Sequence, residues 1–326
     1  MRFLTKSVKR NNHPKQEKPP NRKPAVTAAY LSFTQEQIEQ RLEVARQRST
    51  ACDLCPRKCQ VDRLADQKGF CGLGNSALIS SINLHHGEEP PISGKSGSGT
   101  IFFSGCNLAC VFCQNYPISQ LRHGHPMTSS ELAAKMLNLQ IRGAHNINLV
   151  TPSHVVWPFL EAFALAVELG LEIPIVYNTS AYDSIETLAL LDGIVDIYLP
   201  DLKYADDAQA KRLSQADDYW ETATRAILEM HRQVGFLKTD QNGIAVRGLI
   251  LRHLVLPGGL AGTRQVLDFL RQNLGAQTTV SLMRQYFPAN RAHDLPPLNR
   301  PLYDEEFKVA KDLLERFELD KGWIQE

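Results

Sequence analysis

From residue 100 onward the sequence alternates short β-branched or aromatic runs with stretches of helical periodicity, and this alternation constrains the fold more than any other feature. The pattern predicts strands over 100–105 (TIFFSG), 146–151 (NINLVT), 173–178 (IPIVYN), 194–200 (IVDIYLP), 249–257 (LILRHLVLP) and 278–283 (TTVSLM). Helical patterns fill 129–142, 155–169, 184–191, 207–233 and 261–273, and another follows the last strand at 304–317. Thr128 with Glu131, and Asp183 with Glu186, have the spacing of helix-start signals. Strands this uniformly apolar are covered on both faces, or stand in a barrel wall with helices outside. Six units are too few for a complete eight-fold barrel. An open, partial (β/α)6 barrel and a doubly wound sheet both fit, and both are α/β folds. In either, ligands bind beyond the C-terminal ends of the strands. The exits to inspect are therefore Cys106, Thr151 to His154, Asn178, Asp201 to Lys203, and Met283 to Tyr286.

Ahead of the alternation the chain has a different character. Residues 1–24 carry eight Lys or Arg, one Glu (Glu17) and four prolines, with few large apolar side chains, so they cannot bury enough surface to offset ordering entropy. A mobile basic tail is expected over 1–30. TQEQIEQRLEVARQR follows, with Thr34 and Gln37 spaced as a capping box and Ile38, Leu42 and Ala45 on one face of a helix. That helix leads into a cysteine-rich window, and the two form a module over 31–85. The barrel domain is expected over 86–326. HHGEEPPISGKSGSGT (85–100) has the Gly and Ser punctuation of a solvated loop, although His85, His86, Glu88 and Glu89 are within reach of a site. Gly94, Lys95 and Ser96 do not make a phosphate-binding loop, because residue 89 is Glu where that pattern needs Gly.

Charge and cysteine usage narrow the function. Lys plus Arg total 36 against 35 for Asp plus Glu, which argues against a general nucleic-acid or anionic-membrane binder. No apolar run approaches the ~20 residues that span a bilayer, and MRFLTKSVKR lacks the apolar centre of a signal peptide. A soluble, cytoplasmic protein is expected. Seven cysteines is an odd number, and in a reducing compartment short spacings point to metal ligands or catalytic thiols rather than disulfides. All seven lie in two windows: Cys52, Cys55, Cys59 and Cys71, then Cys106, Cys110 and Cys113.

The second window, SGCNLACVFCQNYPISQ, follows the first predicted strand with the spacing C-x3-C-x2-C. Three thiolates on one loop can hold three corners of an inorganic cluster, whereas a fully protein-bound cubane takes four. With three, one iron keeps an open position, the mark of a reactive rather than a structural metal site. Phe112, just before the last thiolate, offers a ring that could pack on a planar ligand group. The alternative is a zinc loop that borrows His123 or His125 as a fourth ligand.

Cys106, Cys110, Phe112 and Cys113, placed after the first strand of a βα series, resemble the signature of the radical S-adenosylmethionine (radical SAM) enzymes. That resemblance implies a partial (β/α)6 barrel, a [4Fe–4S] cluster on the three cysteines, and S-adenosylmethionine (SAM) bound at the open iron. It also implies reductive cleavage of SAM to a 5′-deoxyadenosyl radical that abstracts hydrogen, driven by a reductant such as flavodoxin or ferredoxin. NTSAYD (178–183), PDLKY (200–204) and RHLVLPG (252–258) are similar, in that order, to segments of glycyl-radical-enzyme activating enzymes, especially those resembling pyruvate formate-lyase activating enzyme. The match extends over roughly residues 50–318 and is nearest an uncharacterised branch of that group. By this likeness Asn178, Thr179 and Asp201 would surround the cofactor carboxylate or a cation beside it, with Lys203 near them. Asp201 and Lys203, two residues apart, share one face of an extended chain, where a simple strand-end ion pair is the plainer account.

Two departures bear on the finer assignment. Many relatives carry Gly-Gly-Glu-Pro after the second strand, where this chain reads VTPSHVV, leaving Thr151, Ser153 or His154 for the contact with the cofactor's amino group. His154 equally suits a hydrogen-bonded histidine at the start of a helix. Ala181 stands where the activating enzymes often have glycine. A protein substrate, as in glycyl-radical activation, is the leading expectation. A radical SAM enzyme acting on a small molecule, or a non-catalytic iron–sulfur or zinc electron-transfer module, are the alternatives. The first window, C-x2-C-x3-C-x11-C, can ligate zinc or a second iron–sulfur cluster, with a redox-active thiol set as the competitor. Met283, Gln285 and Tyr286 either line the substrate opening or close the barrel.

Overall fold

The computed structural model describes residues 28–326. Most of the predicted basic tail lies outside the described residues. Ten strands build one sheet: β1 (Ala77–His85), β2 (Ser98–Phe103), β3 (His125–Met127), β4 (Ile147–Val150), β5 (Ile175–Thr179), β6 (Ile197–Pro200), β7 (Lys238–Thr239), β8 (Ala245–Leu254), β9 (Thr279–Met283) and β10 (Gly322–Gln325). The helices are α1 (Gln35–Arg48), α2 (Pro90–Ser93), α3 (Tyr116–Ser119), α4 (Ser129–Ile141), α5 (Val156–Glu168), α6 (Ile185–Leu191), α7 (Asp207–Ser214), α8 (Tyr219–Val234), α9 (Thr263–Asn273) and α10 (Asp304–Arg316).

The strand order is β10-β9-β8-β6-β5-β4-β2-β1-β3, with β7 beside β8. The six predicted strands are β2, β4, β5, β6, β8 and β9, all parallel neighbours. The parallel array continues into β10 on one edge, while β1 runs antiparallel to β2 on the other. The end strands do not pair with each other, so the sheet stays open as a partial (β/α)6 barrel. β1 falls within the segment read from sequence as a separate cysteine module, yet it pairs with the barrel along most of β2. Among the described residues no helix is long and apolar enough to cross a membrane.

Period-2 alternation sorts the strand residues onto two faces. Tyr177 and Tyr198 face the helical layer and join the large core that includes Phe159, Phe163 and Ile227. Val176, Ile197, Leu199 and Ile250 face the other way, toward the concave side, and cluster around Ile92. Ile92 belongs to α2, inside the segment expected to be a solvated loop. That expectation is corrected: Ile92 is fully buried, and Glu89 beside it accepts hydrogen bonds from the Trp323 indole and from Gln325 Nε2 (2.6 Å). The reason is physical. An open sheet with apolar residues on its concave face needs a cover, and α2 provides one.

Two helix signals resolve as read and two differ. Thr34 and Thr128 form capping boxes with Gln37 and Glu131. Asp183 does not cap α6. Its carboxylate is buried and occupied by the Tyr177 (2.9 Å) and Thr179 (2.6 Å) hydroxyls, so Ser184 caps instead. The pattern over 207–233 divides into α7 and α8, because Gln215 turns left-handed (φ 56°) and ends the first helix.

Candidate active site at the strand exits

The concave-face parity that gives Val176, Leu199 and Ile250 also gives Asn178, Asp201 and Arg252, one step nearer the strand exits. These three side chains meet. Arg252 donates from Nε to Asp201 Oδ1 (2.6 Å) and from Nη2 to Asn178 Oδ1 (2.6 Å), and Lys203 Nζ lies 2.8 Å from Asp201 Oδ2. Burial alone would raise the Asp201 carboxyl, but Arg252 and then Lys203 outweigh it and hold it below the usual carboxylate range. Lys203 is held ionised: burial works against the ammonium, and Asp201 reverses the effect.

β2 ends at Phe103 and the three-cysteine loop begins. Ser104 N donates to Leu78 O (2.8 Å), and Gly105 turns the chain at φ +82° with its N–H on Ile118 O (2.9 Å). A Cβ on Gly105 would stand 2.7 Å from Cys71 O, so only glycine fits. Beyond it, Ala109 N and Val111 N hang the loop on the end of α7 through Ser214 O (3.0 Å) and Leu213 O (2.8 Å). Hydroxyl and amide groups reach the sulfurs. Leu108 N donates to Cys106 Sγ (3.3 Å), Ser214 Oγ to Cys110 Sγ (3.0 Å), and Ser119 Oγ lies 3.2 Å from Cys113 Sγ.

One cavity of about 420 Å³ collects these groups: Cys106, Cys110 and Cys113 on one side, Asn178, Asp201 and Lys203 on the other. Burial, with the charge of Cys110, pushes the Cys106 thiol up to about 12. Cys110 is also raised by burial, and Lys203 is the strongest influence lowering it. Cys106 and Cys110, raised by burial and facing the Lys203 ammonium, are thiols that a cationic metal core would stabilise as thiolates. Among the described residues no three His, Cys, Asp or Glu side chains converge closely enough to hold a metal ion as they stand. This applies alike to the loop and to the four-cysteine window.

Other sequence expectations divide. Thr151 and Thr179 line the cavity, and Thr151 does so in a left-handed conformation (φ 59°) that is strained for a β-branched residue. Ser153 does not line it, being buried with its hydroxyl 3.1 Å from Thr179 Oγ1. His154 does not either. Its Nε2 lies 2.9 Å from Ser104 O, and burial pushes the imidazole down to about 4, the signature of a structural histidine at the start of α5. The Phe112 ring packs edge-on against Tyr204 and Tyr286, in the core rather than on the cavity wall. Tyr286 donates to Leu298 O (2.5 Å) and packs on Phe112 rather than lining the cavity, and Met283 and Gln285 are likewise outside the cavity lining. Sequence reasoning gave Arg252 no role and placed His85 and Glu88 within reach of a site; all three line the cavity. Arg252 was visible by parity with Ile250, whereas Glu88 arrives from the α2 segment, with Oε2 3.7 Å from Arg252.

Comparison with known proteins decides the family. The sequence profile described as Radical SAM superfamily matches residues 100–239, which contain the three cysteines and the Asp201–Lys203 exit. The chain belongs to the radical SAM superfamily. It is 33% identical over 293 residues to Uncharacterized protein MJ0674 of Methanocaldococcus jannaschii, covering 87% of this chain and 80% of that one. Solved structures similar to it include Streptococcus suis SuiB bound to the precursor peptide SuiA, with TM-score 0.45 and 12% identity over 68% of this chain and 46% of that one. The [FeFe]-hydrogenase maturase HydG matches with TM-score 0.46 and 12% identity, over 90% of this chain and 63% of that one. A tagged form of anSMEcpe with bound AdoMet matches with TM-score 0.44 and 10% identity, over 70% of this chain and 58% of that one. The radical SAM chain described here thus spans about half the length of these solved structures. Membership implies a [4Fe–4S] cluster and SAM, and the three cysteines on one cavity wall fit such a cluster with one open iron.

Proposed function

We propose that this radical SAM enzyme generates a 5′-deoxyadenosyl radical and uses it to abstract hydrogen from a protein, as a glycyl-radical-enzyme activating enzyme does. The observation that carries the reading is the single cavity shared by the three cysteines and the Asn178–Asp201–Lys203 group. In this reading Cys106, Cys110 and Cys113 hold the cluster, while Asn178, Thr179, Asp201 and Lys203 bind the methionyl end of SAM, with Thr151 beside them. A cluster bound there supplies, on reduction by a flavodoxin- or ferredoxin-like donor, the electron that cleaves the SAM sulfonium. The protein's own residues orient and neutralise. Lys203, kept ionised by Asp201, offers a fixed positive charge to a carboxylate.

The protein-substrate reading is supported by the likeness of the 178–183, 200–204 and 252–258 segments to activating enzymes. It is tested by isotope transfer. The reduced enzyme with SAM is given a host extract labelled with deuterated glycine, separated into macromolecular and small-molecule fractions. Deuterium in 5′-deoxyadenosine from the macromolecular fraction is expected; label arriving solely from the filtrate assigns the enzyme to small-molecule chemistry. Cys52, Cys55, Cys59 and Cys71 are proposed to hold a metal of their own, argued next.

A further inference from the structure

The four-cysteine window is folded as one knot. Cys52 N donates to Val61 O (2.9 Å) and Gln60 N to Cys52 O (3.0 Å), which lays the segment carrying Cys59 beside Cys52. Lys58 N donates to Cys55 O (3.0 Å), closing the turn between Cys55 and Cys59. Phe70 N donates to Cys59 Sγ (3.3 Å), bringing Cys71, the next residue, to the same place. All four thiols are free, and Cys52, Cys55 and Cys71 are buried.

Two arginines in this knot lack counter-ions. Arg63 is 1% exposed, yet its guanidinium meets only carbonyls: Nε to Gly74 O (2.9 Å) and Nη1 to His154 O (2.5 Å). Arg57 donates from Nε to Asn107 O (2.7 Å) and from Nη1 to Gln215 O, with its guanidinium 3.8 Å from the Phe70 ring centroid. Each leaves Nη2 buried and without a hydrogen-bond partner. Neither forms an ion pair with a carboxylate among the described residues. A buried cation without an anion is strongly destabilising, and Arg63 is fully buried while Arg57 is partly so. Arg63 stands two residues past Val61, whose carbonyl takes Cys52 N, and holds Gly74 O three residues beyond Cys71, which brings its charge to the cysteine knot; Arg57 lies within the knot between Cys55 and Cys59.

We propose that Cys52, Cys55, Cys59 and Cys71 form a tetrathiolate metal centre whose counter-charges are Arg57 and Arg63. Four thiols release four protons to solvent as the metal binds. Around a divalent core, zinc(II) or an oxidised iron–sulfur cluster, four thiolates leave two negative charges, and the two guanidiniums supply two positive ones. The centre is coordinatively saturated, so its part is to staple the module and hold the neighbouring loop. Cys71 O accepts from Arg122 Nε (3.2 Å) and lies against Gly105, immediately before Cys106, while Arg57 ties the knot to Asn107.

The inference does not depend on SAM chemistry, and its test reads metal rather than turnover. In full-length protein with Cys106, Cys110 and Cys113 changed to alanine, four cysteines remain of the seven. Purified anaerobically, this variant is expected to keep one metal centre, released by about four equivalents of a mercurial. Iron with acid-labile sulfide identifies a cluster; zinc without sulfide identifies a zinc site. Folded variant with neither metal, or with the four cysteines oxidised to disulfides, overturns the proposal. The reciprocal variant, Cys55→Ser with Cys71→Ser, must lose one centre and keep the iron of the three-cysteine loop. Arg63→Met is expected to speed metal loss to a chelator about tenfold, with Arg63→Lys restoring retention, because the charge rather than the shape is needed. Equal rates in all three proteins would remove the arginine from the account.

Discussion

Replacing Arg252 by Met is the sharpest perturbation of the strand-exit site, because one guanidinium serves three partners. It removes the 2.6 Å contacts to Asp201 and Asn178 and the weaker approach to Glu88 at 3.7 Å. Asp201 then keeps Lys203 alone, at 2.8 Å, in a site where the side chains of Arg252, Asp201 and Lys203 are only 16%, 19% and 19% exposed. Breaking a buried pair by deleting one partner costs about 3–5 kcal/mol, and the surviving Lys203 contact argues for the lower end, about 3 kcal/mol. For a chain of this size each kcal/mol lowers the thermal midpoint by roughly 2 °C, so a fall of about 6 °C is expected at pH 7. The pH dependence carries the sign. Asp201 has a folded-state pKa below its unfolded value, so it contributes stability above the unfolded carboxylate range near 4, lost as pH falls through the lower folded value. In the variant that depression shrinks or reverses, and the penalty diminishes as acid protonates the carboxylate. Thermal and urea unfolding of both proteins at pH 7 and pH 4 measure this. A penalty below 1 kcal/mol, or one equal at the two pH values, would refute the claim that Arg252 stabilises an ionised Asp201.

Three further outcomes follow from particular contacts. Gly105→Ala must fit a Cβ against the Cys71 carbonyl at φ +82°, so it should lower iron incorporation in the three-cysteine loop, measured as iron per chain, and destabilise by about 2 kcal/mol. Phe112→Ala empties a core position between Tyr204 and Tyr286 and should cost about 3 kcal/mol in urea unfolding, while Phe112→Leu retains SAM affinity in equilibrium binding because the ring does not wall the cavity. Ser184→Ala removes the cap on Thr187 N (3.2 Å) and should cost about 1 kcal/mol in the same unfolding assay.

The parallel array was legible in the sequence because its strands are short, apolar and separated by stretches of helical periodicity; all six lie where the alternation put them. Features that depend on distant partners were less visible. Nothing local to GEEPPIS shows that Ile92 covers Ile197 and Ile250, or that Glu89 binds Trp323 and Gln325 more than two hundred residues away. β10 was missed for the same reason, since GWIQ is four residues long and gains its role from pairing with β9. Asp183 looks like a cap until Tyr177 and Thr179 claim its oxygens. At the site, the cysteine spacing and the Asp201–Lys203 parity were readable, because both are consequences of local geometry. The separation of Thr151, on the cavity, from Ser153 and His154, behind it, depends on the strained turn at Thr151, which no periodicity encodes.

The central claim is that the three-cysteine loop supports reductive cleavage of SAM. Its most direct test is quantification of 5′-deoxyadenosine after anaerobic reconstitution with iron and sulfide, chemical reduction and addition of SAM, comparing the native chain with Cys113→Ala. Product from the native chain and none from the variant is the predicted result. A native chain carrying a full, reducible cluster that forms no 5′-deoxyadenosine, or a variant that forms as much as the native chain, would contradict it.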